Sequence, residues 1–380
     1  MNIATKILLA AALAVMASGA AMAGNGPSYI CAYVNDNVDG PNLVEGYKVG
    51  PSTATAHVGP YATNGNGLGG GFTAGGLGAT RAREGDLYVT DGASENITHF
   101  IINRADCTLT LDTTLYPSGD TAALYGDSLT ITPDGRRIFV GATGDKHIYS
   151  HKVAADGSLG STFTEASTPD APDGFEVAPD GNTLVVNYID IHQVCAYPIS
   201  SDHHLGTPNC QDTVGAPTGV SIDPASECVY AAEADFRGTE VATLTLTGGK
   251  LGVPKEYNPL GPGIDSEGIL VNWDNSAIYI SNSYSAQVTI ASIEPGCKLT
   301  YKAIVSDGIA GSDQLGQIAQ AQIVHGYVVT GAARTNFQGA PSIGIFQAYA
   351  NGALAPIGSG QFPLMGGVDT PLTVVVVGSE

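Results

Sequence analysis

Short apolar runs separated by polar turns recur along the whole chain, and several of them repeat as a unit. The clearest unit is an apolar strand, a Pro-Asp-Gly turn and a second apolar strand, as in Asp127–Val140 and Asp173–Val186. Weaker copies span Thr218–Tyr230 and Glu267–Ile280. The corresponding turn positions, 46, 45 and 49 residues apart, are Pro133, Pro179, Pro224 and Trp273.

Each unit continues into a third apolar run, a turn that ends in Gly-x-Leu or Cys-x-Leu, and an outer strand. The predicted third strands are His147–Val153, Gln193–Ile199, Glu240–Leu246 and Gln287–Ile293. Val, Ile, Thr and Tyr dominate the runs and Gly, Asn, Asp and Pro the turns, as strand and turn chemistry require. Several short strands in a period of roughly 40–50 residues are typical of a β-propeller blade.

The repeat predicts an all-β, seven-bladed β-propeller. Six units lie within the chain, and the seventh begins in the middle of a blade with strands at Tyr29–Val34 and Leu43–Val49. Its missing inner strand is predicted at Pro371–Val377, near the C-terminus. Pairing the two ends of the chain closes the ring and leaves no open sheet edge.

The first 23 residues are predicted to be a signal peptide rather than part of the fold. Lys6 supplies the positive charge, Ile7–Met16 the apolar stretch and Ala21–Ala23 the cleavage site. The apolar stretch is too short to span a bilayer. We therefore expect an exported protein, secreted or periplasmic, whose propeller domain occupies residues 24–380.

The chain carries 36 acidic and 15 basic residues, and a net charge of −21 argues against nucleic acid or an anionic membrane as a partner. It favours cationic partners, or serves the solubility of an exported protein. The six cysteines predict disulfides in such a protein. We predict Cys195–Cys210, which lie on consecutive strands of one blade, and no pairing of Cys107 with Cys297, which lie on equivalent turns.

The repeats resemble the seven-bladed lactonase family, which includes 6-phosphogluconolactonase and carboxymuconate cyclase, and the related YVTN-type propellers. Pro133–Gly135, Pro179–Gly181, Tyr279–Asn282 and Tyr88–Asp91 carry the resemblance, which covers nearly the whole mature chain. It implies a lactonase-type hydrolase or isomerase that uses His, Glu and Arg around the central channel. The family's characteristic His precedes the turn proline by six positions, where this chain has Asp127, Asp173, Thr218 and Glu267.

These acidic positions are equivalent in different blades, so a propeller brings them to one mouth of the channel. We predict ligand-binding residues there, namely Asp127, Asp173, Thr218 and Asp369, with Asp265 close to the same position. Several carboxylates suit a hard cation, so Asp127, Asp173 and Glu267 are the candidate ligands of a Ca²⁺ ion. Alternatively, an aspartate at such a position caps the turn before the strand.

Two functions follow from this constellation. One is a non-catalytic propeller that binds a cation, a small molecule or another protein at the acidic mouth, and the missing His favours it. The other is a lactonase or cycloisomerase acting on a small cyclic ester. In that enzyme Glu267 or Glu176 is the general base, and Arg81 binds a substrate carboxylate. The fold alone does not decide between these two functions.

Overall fold

The structure is a computed structural model of the 380-residue chain. It describes residues 29–35, 40–50, 55–67, 80–83, 85–121, 128–234, 238–263, 265–282, 285, 287–306, 314–320, 326–333, 342–360 and 374–378. The predicted signal peptide lies outside these residues. Among them there is no α-helix, and no helix that is long and apolar enough to cross a membrane.

The described residues form 31 strands in seven antiparallel sheets, each of four or five strands. We number the sheets as blades 1 to 7 along the chain. Blade 1 consists of β1 (Ile30–Asn35), β2 (Gly40–Val49), β3 (Thr55–His57), β4 (Tyr61–Gly67) and the final strand β31 (Val374–Gly378). Blade 2 consists of β5 (Thr80–Arg83), β6 (Asp86–Asp91), β7 (Asn96–Asn103), β8 (Thr108–Leu111) and β9 (Tyr116–Pro117), with a 3-10 turn at Gly92–Ser94.

Blades 3 and 4 have four strands each. Blade 3 consists of β10 (Ser128–Ile131), β11 (Arg137–Ala142), β12 (His147–Lys152) and β13 (Phe163–Ser167). Blade 4 consists of β14 (Phe175–Val177), β15 (Thr183–Tyr188), β16 (Gln193–Pro198) and β17 (Asn209–Asp212).

Blades 5 to 7 repeat the plan. Blade 5 consists of β18 (Ala216–Ile222), β19 (Cys228–Ala234), β20 (Thr239–Thr247), β21 (Lys250–Leu251) and β22 (Lys255–Gly261). Blade 6 consists of β23 (Ser266–Val271), β24 (Ala277–Asn282), β25 (Gln287–Glu294) and β26 (Lys298–Ser306). Blade 7 consists of β27 (Gln314–Gln320), β28 (Tyr327–Ala333), β29 (Ser342–Ala348) and β30 (Leu354–Gly360).

The two ends of the chain close the ring, as the sequence predicts. Strand β31 pairs with β1, Ile30 opposite Gly378 and Val34 opposite Val374. The inner strand of each blade also contacts the inner strand of the next, all the way round from β5 through β27 and β31 back to β5. The predicted seven-bladed propeller is therefore confirmed.

The hydrophobic core is divided into seven clusters, one between each pair of neighbouring blades. Between blades 2 and 3, for example, Tyr88 and Ile97 pack against Leu129, Ile138 and Val140. The middle strands bury both faces, which is why they read as nearly continuous apolar runs. A blade is thus stabilised mainly by its two neighbours.

A second inter-blade contact repeats at the outer turns. The first or second residue of a second strand contacts the turn of the next blade, at a residue with positive φ, as with Cys228 and Cys297 or Ala277 and Gly352. A disulfide closes this contact twice, as Cys31–Cys107 and Cys228–Cys297. The predicted Cys195–Cys210 is confirmed as the third disulfide, and Cys107 does not pair with Cys297.

Candidate functional site

The inner strands of blades 5 and 6 begin with an irregularity that sets the direction of their first side chains. The register of β18 shifts between Pro217 and Gly219, and that of β23 between Ser266 and Gly268. A β-bulge of this kind re-aims the extra residue, which is Thr218 in one strand and Glu267 in the other. Both bulges fall within the first residues of their strands, so they lie at the end where the inner strands begin.

Glycines bring the inner strands of blades 4, 5 and 6 close together at this end. A Cβ atom on Gly219 would lie 2.8 Å from the carbonyl oxygen of Glu267, and one on Gly174 would lie 3.4 Å from the Cα of Gly219. At 2.8 Å from a backbone oxygen a Cβ atom does not fit, so position 219 requires glycine. Asp173, which precedes Gly174, and Glu267, whose backbone Gly219 contacts, are thereby held within range of each other's charge.

Asp173 is positioned by its own blade. Its backbone amide donates to the carbonyl oxygen of Asn187 at 3.1 Å, and the Asn187 side-chain amide donates to its carboxylate at 3.1 Å. The same Asn187 amide reaches the Pro217 carbonyl of blade 5 at 2.7 Å. Burial raises the pKa of Asp173 to about 7, and the charge of Asp190 adds to this, although the hydrogen bond from Asn187 opposes it.

Glu267 is even less favourably placed for a negative charge. Burial raises its pKa well above the ordinary value, and the charges of Asp265 and Asp173 raise it further. A hydrogen bond between the carboxyl groups of Glu267 and Asp265 acts in the same direction. Asp265 is itself buried and has a positive φ of 63°. We call Asp173, Asp265 and Glu267 the channel carboxylates.

Two further predicted residues lie on the inner strands of blades 5 and 4. Thr218 is buried, and its hydroxyl donates to the Ser266 carbonyl oxygen at 2.7 Å, so it ties blade 5 to blade 6. Glu176 is half-buried on β14, opposite Val185 of β15. The hydroxyl of Thr218 thus links two blades, and its role in ligand binding stays a prediction.

The remaining predicted site residues are wholly or partly outside the described residues. Asp127 and Asp369 lie outside them altogether. Arg81 lies on β5 opposite Tyr88, but its side chain is outside them too. Within the part of the chain that the structure describes, no group of three or more His, Cys, Asp or Glu side chains is placed to hold a metal ion. The Ca²⁺ site and the catalytic roles therefore stay predictions.

Sequence reasoning missed Asn187, which links Asp173 to blade 5. It is the residue after the apolar run Leu184–Val186, and nothing in that run distinguishes it from an ordinary strand end. Its role depends on the close approach of Pro217, which belongs to another blade. Only the packing of neighbouring blades reveals such a residue.

Comparison with known proteins bears on the fold. No protein-family model and no curated protein matches the chain. Several solved structures resemble it over nearly their whole length. One is a proposed 6-phosphogluconolactonase from Bacteroides fragilis, with a TM-score of 0.67, 16% identity and coverage of 92% of this chain and 98% of the other. A second is the periplasmic gluconolactonase PpgL of Pseudomonas aeruginosa, with a TM-score of 0.66, 14% identity and coverage of 93% of this chain and 100% of the other. The chain therefore has the seven-bladed propeller fold of 6-phosphogluconolactonase-like proteins.

Proposed function

We propose that the propeller binds a small cationic ligand at the channel carboxylates. The observation that carries this proposal is the clustering of Asp173, Asp265 and Glu267 where the inner strands of blades 4, 5 and 6 approach one another, so that burial first, and then the charges of Asp265 and Asp173, raise the pKa of Glu267. Like charges held close together in a buried site resist ionisation unless a cation compensates them. A ligand with a positive charge supplies that compensation, and the net charge of −21 steers it to the protein.

This proposal makes binding dependent on protons. Below pH 7 the Asp173 carboxyl, whose pKa is about 7, is mostly neutral and attracts a cation weakly. A cation that binds stabilises the ionised form, so it displaces protons from the site. The affinity should therefore rise with pH through this range, and the buffer should take up the released protons.

The test is calorimetric titration of the mature protein with CaCl₂ and with spermidine, at pH 6 and pH 8. Spermidine represents an organic ammonium ligand and Ca²⁺ a metal ion, so the two titrations distinguish the sources of positive charge. We expect tighter binding of one probe at pH 8, with a heat that depends on the ionisation enthalpy of the buffer. Asp173→Asn and Glu267→Gln should each weaken it at least tenfold.

Asp180→Asn is the matched control. It removes the same charge from blade 4, but in the exposed Pro-Asp-Gly turn at the opposite end of the inner strand. If Asp180→Asn weakens binding as much as Asp173→Asn, the effect is one of overall charge and the proposed site is wrong. The absence of any saturable heat with either probe would also refute it.

The second candidate function is hydrolysis of a small lactone, and the pKa of Asp173 favours it. A carboxyl group with a pKa of about 7 is suited to accept a proton from water at neutral pH. The two similar structures, one a proposed 6-phosphogluconolactonase and the other a gluconolactonase, support this candidate at the level of the fold. Hydrolysis of glucono-1,5-lactone above the uncatalysed rate, lost in Asp173→Asn and in Glu267→Gln, would establish it.

We also propose that the protein is exported, by way of a signal peptide that ends at Ala23. Three disulfides in the folded chain support an oxidising compartment, because cytosolic thiols are kept reduced. The similar gluconolactonase of Pseudomonas aeruginosa is periplasmic. N-terminal sequencing of the protein from the periplasm and the medium should find Gly24 first, and an intact Met1 would contradict the proposal.

A further inference from the structure

Two glutamates of blade 5 lie side by side at the end of the propeller that carries the channel carboxylates. Glu233, near the end of β19, is 1% exposed, and Glu256, on the outer strand β22, is half-buried. The two carboxyl groups are close enough that Glu256 raises the pKa of Glu233 both by a hydrogen bond between them and by its charge. Such a bond needs a proton, because two ionised carboxylates have no donor between them.

The pair holds the linker that enters the inner strand of blade 5. The backbone amide of Gly215 donates to Glu233 Oε1 at 3.1 Å, and that of Val214 donates to Glu256 Oε1 at 3.3 Å. Two consecutive amides of one linker are therefore bonded to two carboxyl groups that share a proton. A Cβ atom on Gly215 would lie 2.8 Å from the Cβ of Glu233, so the linker is packed directly against this side chain.

Equivalent positions in other blades show how unusual this arrangement is. Asp91, also at the end of a second strand, packs against Gly65 and accepts hydrogen bonds from four side chains, namely Asn42, Thr63, Asn96 and Thr98. In blade 6 the position is Asn282, which packs against Gly263 and carries no charge. Blade 5 has neither the four donors nor the neutral side chain. It has a second carboxyl group instead.

The charges around Glu233 oppose its ionisation. Burial raises its pKa above the ordinary range, the hydrogen bond and charge of Glu256 raise it further, and so does the charge of Glu240 on β20. The bond from the Gly215 amide acts in the opposite direction. His192 lies on the far side of the linker, with Nδ1 3.2 Å from the Val214 carbonyl oxygen. Among the described residues, no Lys, Arg or His forms an ion pair with Glu233 or Glu256.

We propose that Glu233 and Glu256 form a proton-dependent latch that holds the Val214–Gly215 linker at low pH and releases it at high pH. When the shared proton is present, one carboxyl group donates to the other and both accept from the linker. When it is lost, two negative charges face each other in a buried site. Their separation pulls apart the two backbone hydrogen bonds that depend on their position.

The latch acts on the strand that leads into the channel. Three residues after Val214 comes Pro217, whose carbonyl oxygen accepts the hydrogen bond from Asn187, and Asn187 donates to Asp173. Release of the linker therefore loosens one of the supports of the channel carboxylates. This last consequence rests on the proposed cation binding, whereas the latch itself does not.

Hydrogen exchange of the Val214 and Gly215 amides tests the latch without any ligand. Protection factors are measured between pH 5 and pH 9 and corrected for the intrinsic exchange rate. We expect protection to fall by up to about tenfold per pH unit while the pair titrates, since a raised carboxyl pKa stabilises the latched form only at low pH. The Cys228 amide is the internal control, because it donates at 2.8 Å to another buried carboxylate, Asp223, which has the Asn275 side-chain amide beside it.

Two variants decide the mechanism. In Glu256→Gln the side-chain amide donates to Glu233 without a titrating proton, so protection of the linker should become independent of pH. Glu233→Gln places the same amide donor on the other residue of the pair, and it replaces Glu256→Gln in the test if that variant does not fold. Unchanged protection of the wild-type linker at high pH, or a pH-dependent loss that persists in both variants, would overturn the proposal. Neither result bears on ligand binding at Asp173.

Discussion

The disulfide Cys228–Cys297 joins blades 5 and 6 at a contact that blades 6 and 7 make without sulfur. At the equivalent place blade 6 has Ala277 and blade 7 has Gly352, in direct contact. The double substitution Cys228→Ala and Cys297→Gly therefore copies a pair that this fold already accepts. Glycine at 297 also suits the backbone, since Cys297 has a positive φ of 58°.

The size of the effect follows from the loop that the disulfide closes. Cys228 and Cys297 are 69 residues apart, and the loss of unfolded-chain entropy on closing such a loop corresponds to about 4 kcal/mol. Cys195 and Cys210 are 15 residues apart, which corresponds to about 3 kcal/mol. Removing the longer bridge should thus lower the free energy of unfolding more than removing the shorter one.

Urea unfolding followed by the fluorescence of Trp273, at fixed pH and protein concentration, measures both values. The matched comparison is Cys195→Ala with Cys210→Ala, which removes a bridge within blade 4. If the bridge within the blade proves the more stabilising of the two, unfolded-chain entropy is not the dominant effect. The strain or packing at each site would then have to account for the difference.

Three further outcomes are expected. Burial lowers the pKa of His99, but the hydrogen bonds and charges of its two flanking carboxylates raise it more. The stabilisation that His99 provides is therefore complete below about pH 6.5 and is lost as the pH rises through the raised pKa. This step should disappear from the pH profile of unfolding in His99→Gln. Glu165→Ala leaves the nearly buried Arg137 without its carboxylate and should lower the free energy of unfolding by about 3 kcal/mol, whereas a neutral result would show that Arg137 finds water instead. Tyr88→Phe should lower the free energy of unfolding by about 1 kcal/mol, because the buried Tyr88 hydroxyl donates to a carbonyl oxygen at 2.7 Å. Tyr230→Phe should leave the free energy of unfolding unchanged, because the Tyr230 hydroxyl has no partner among the described residues.

The propeller is predictable from the sequence because each blade repeats its own pattern. The Pro-Asp-Gly turn at Pro133–Gly135 and the apolar runs beside it fix strand ends locally, and the period fixes the number of blades. Ring closure followed from the one blade that begins with its second strand. The predicted strands Gln193–Ile199 and Leu43–Val49, observed as Gln193–Pro198 and Gly40–Val49, show remaining errors of one and three residues at strand ends.

The site is only partly predictable, for a physical reason. Repeat alignment places Asp173 and Glu267 at one end of the channel, but their mutual effect depends on how closely Gly219 lets the strands approach. The disulfide Cys228–Cys297 escaped prediction because its partners occupy different positions in their blades. Contacts between blades have no signature in a single blade's sequence.

The outer-turn contact explains how such a fold tolerates sequence divergence. The turn is built by backbone hydrogen bonds, such as Gly157 N to Ala154 O at 3.1 Å and Gly352 N to Tyr349 O at 2.8 Å. The side chains that meet there range from a disulfide to an alanine beside a glycine. The same turn therefore accommodates different side-chain contacts between blades. Mutational drift of this kind is compatible with identities of 14–16% to propellers of the same shape.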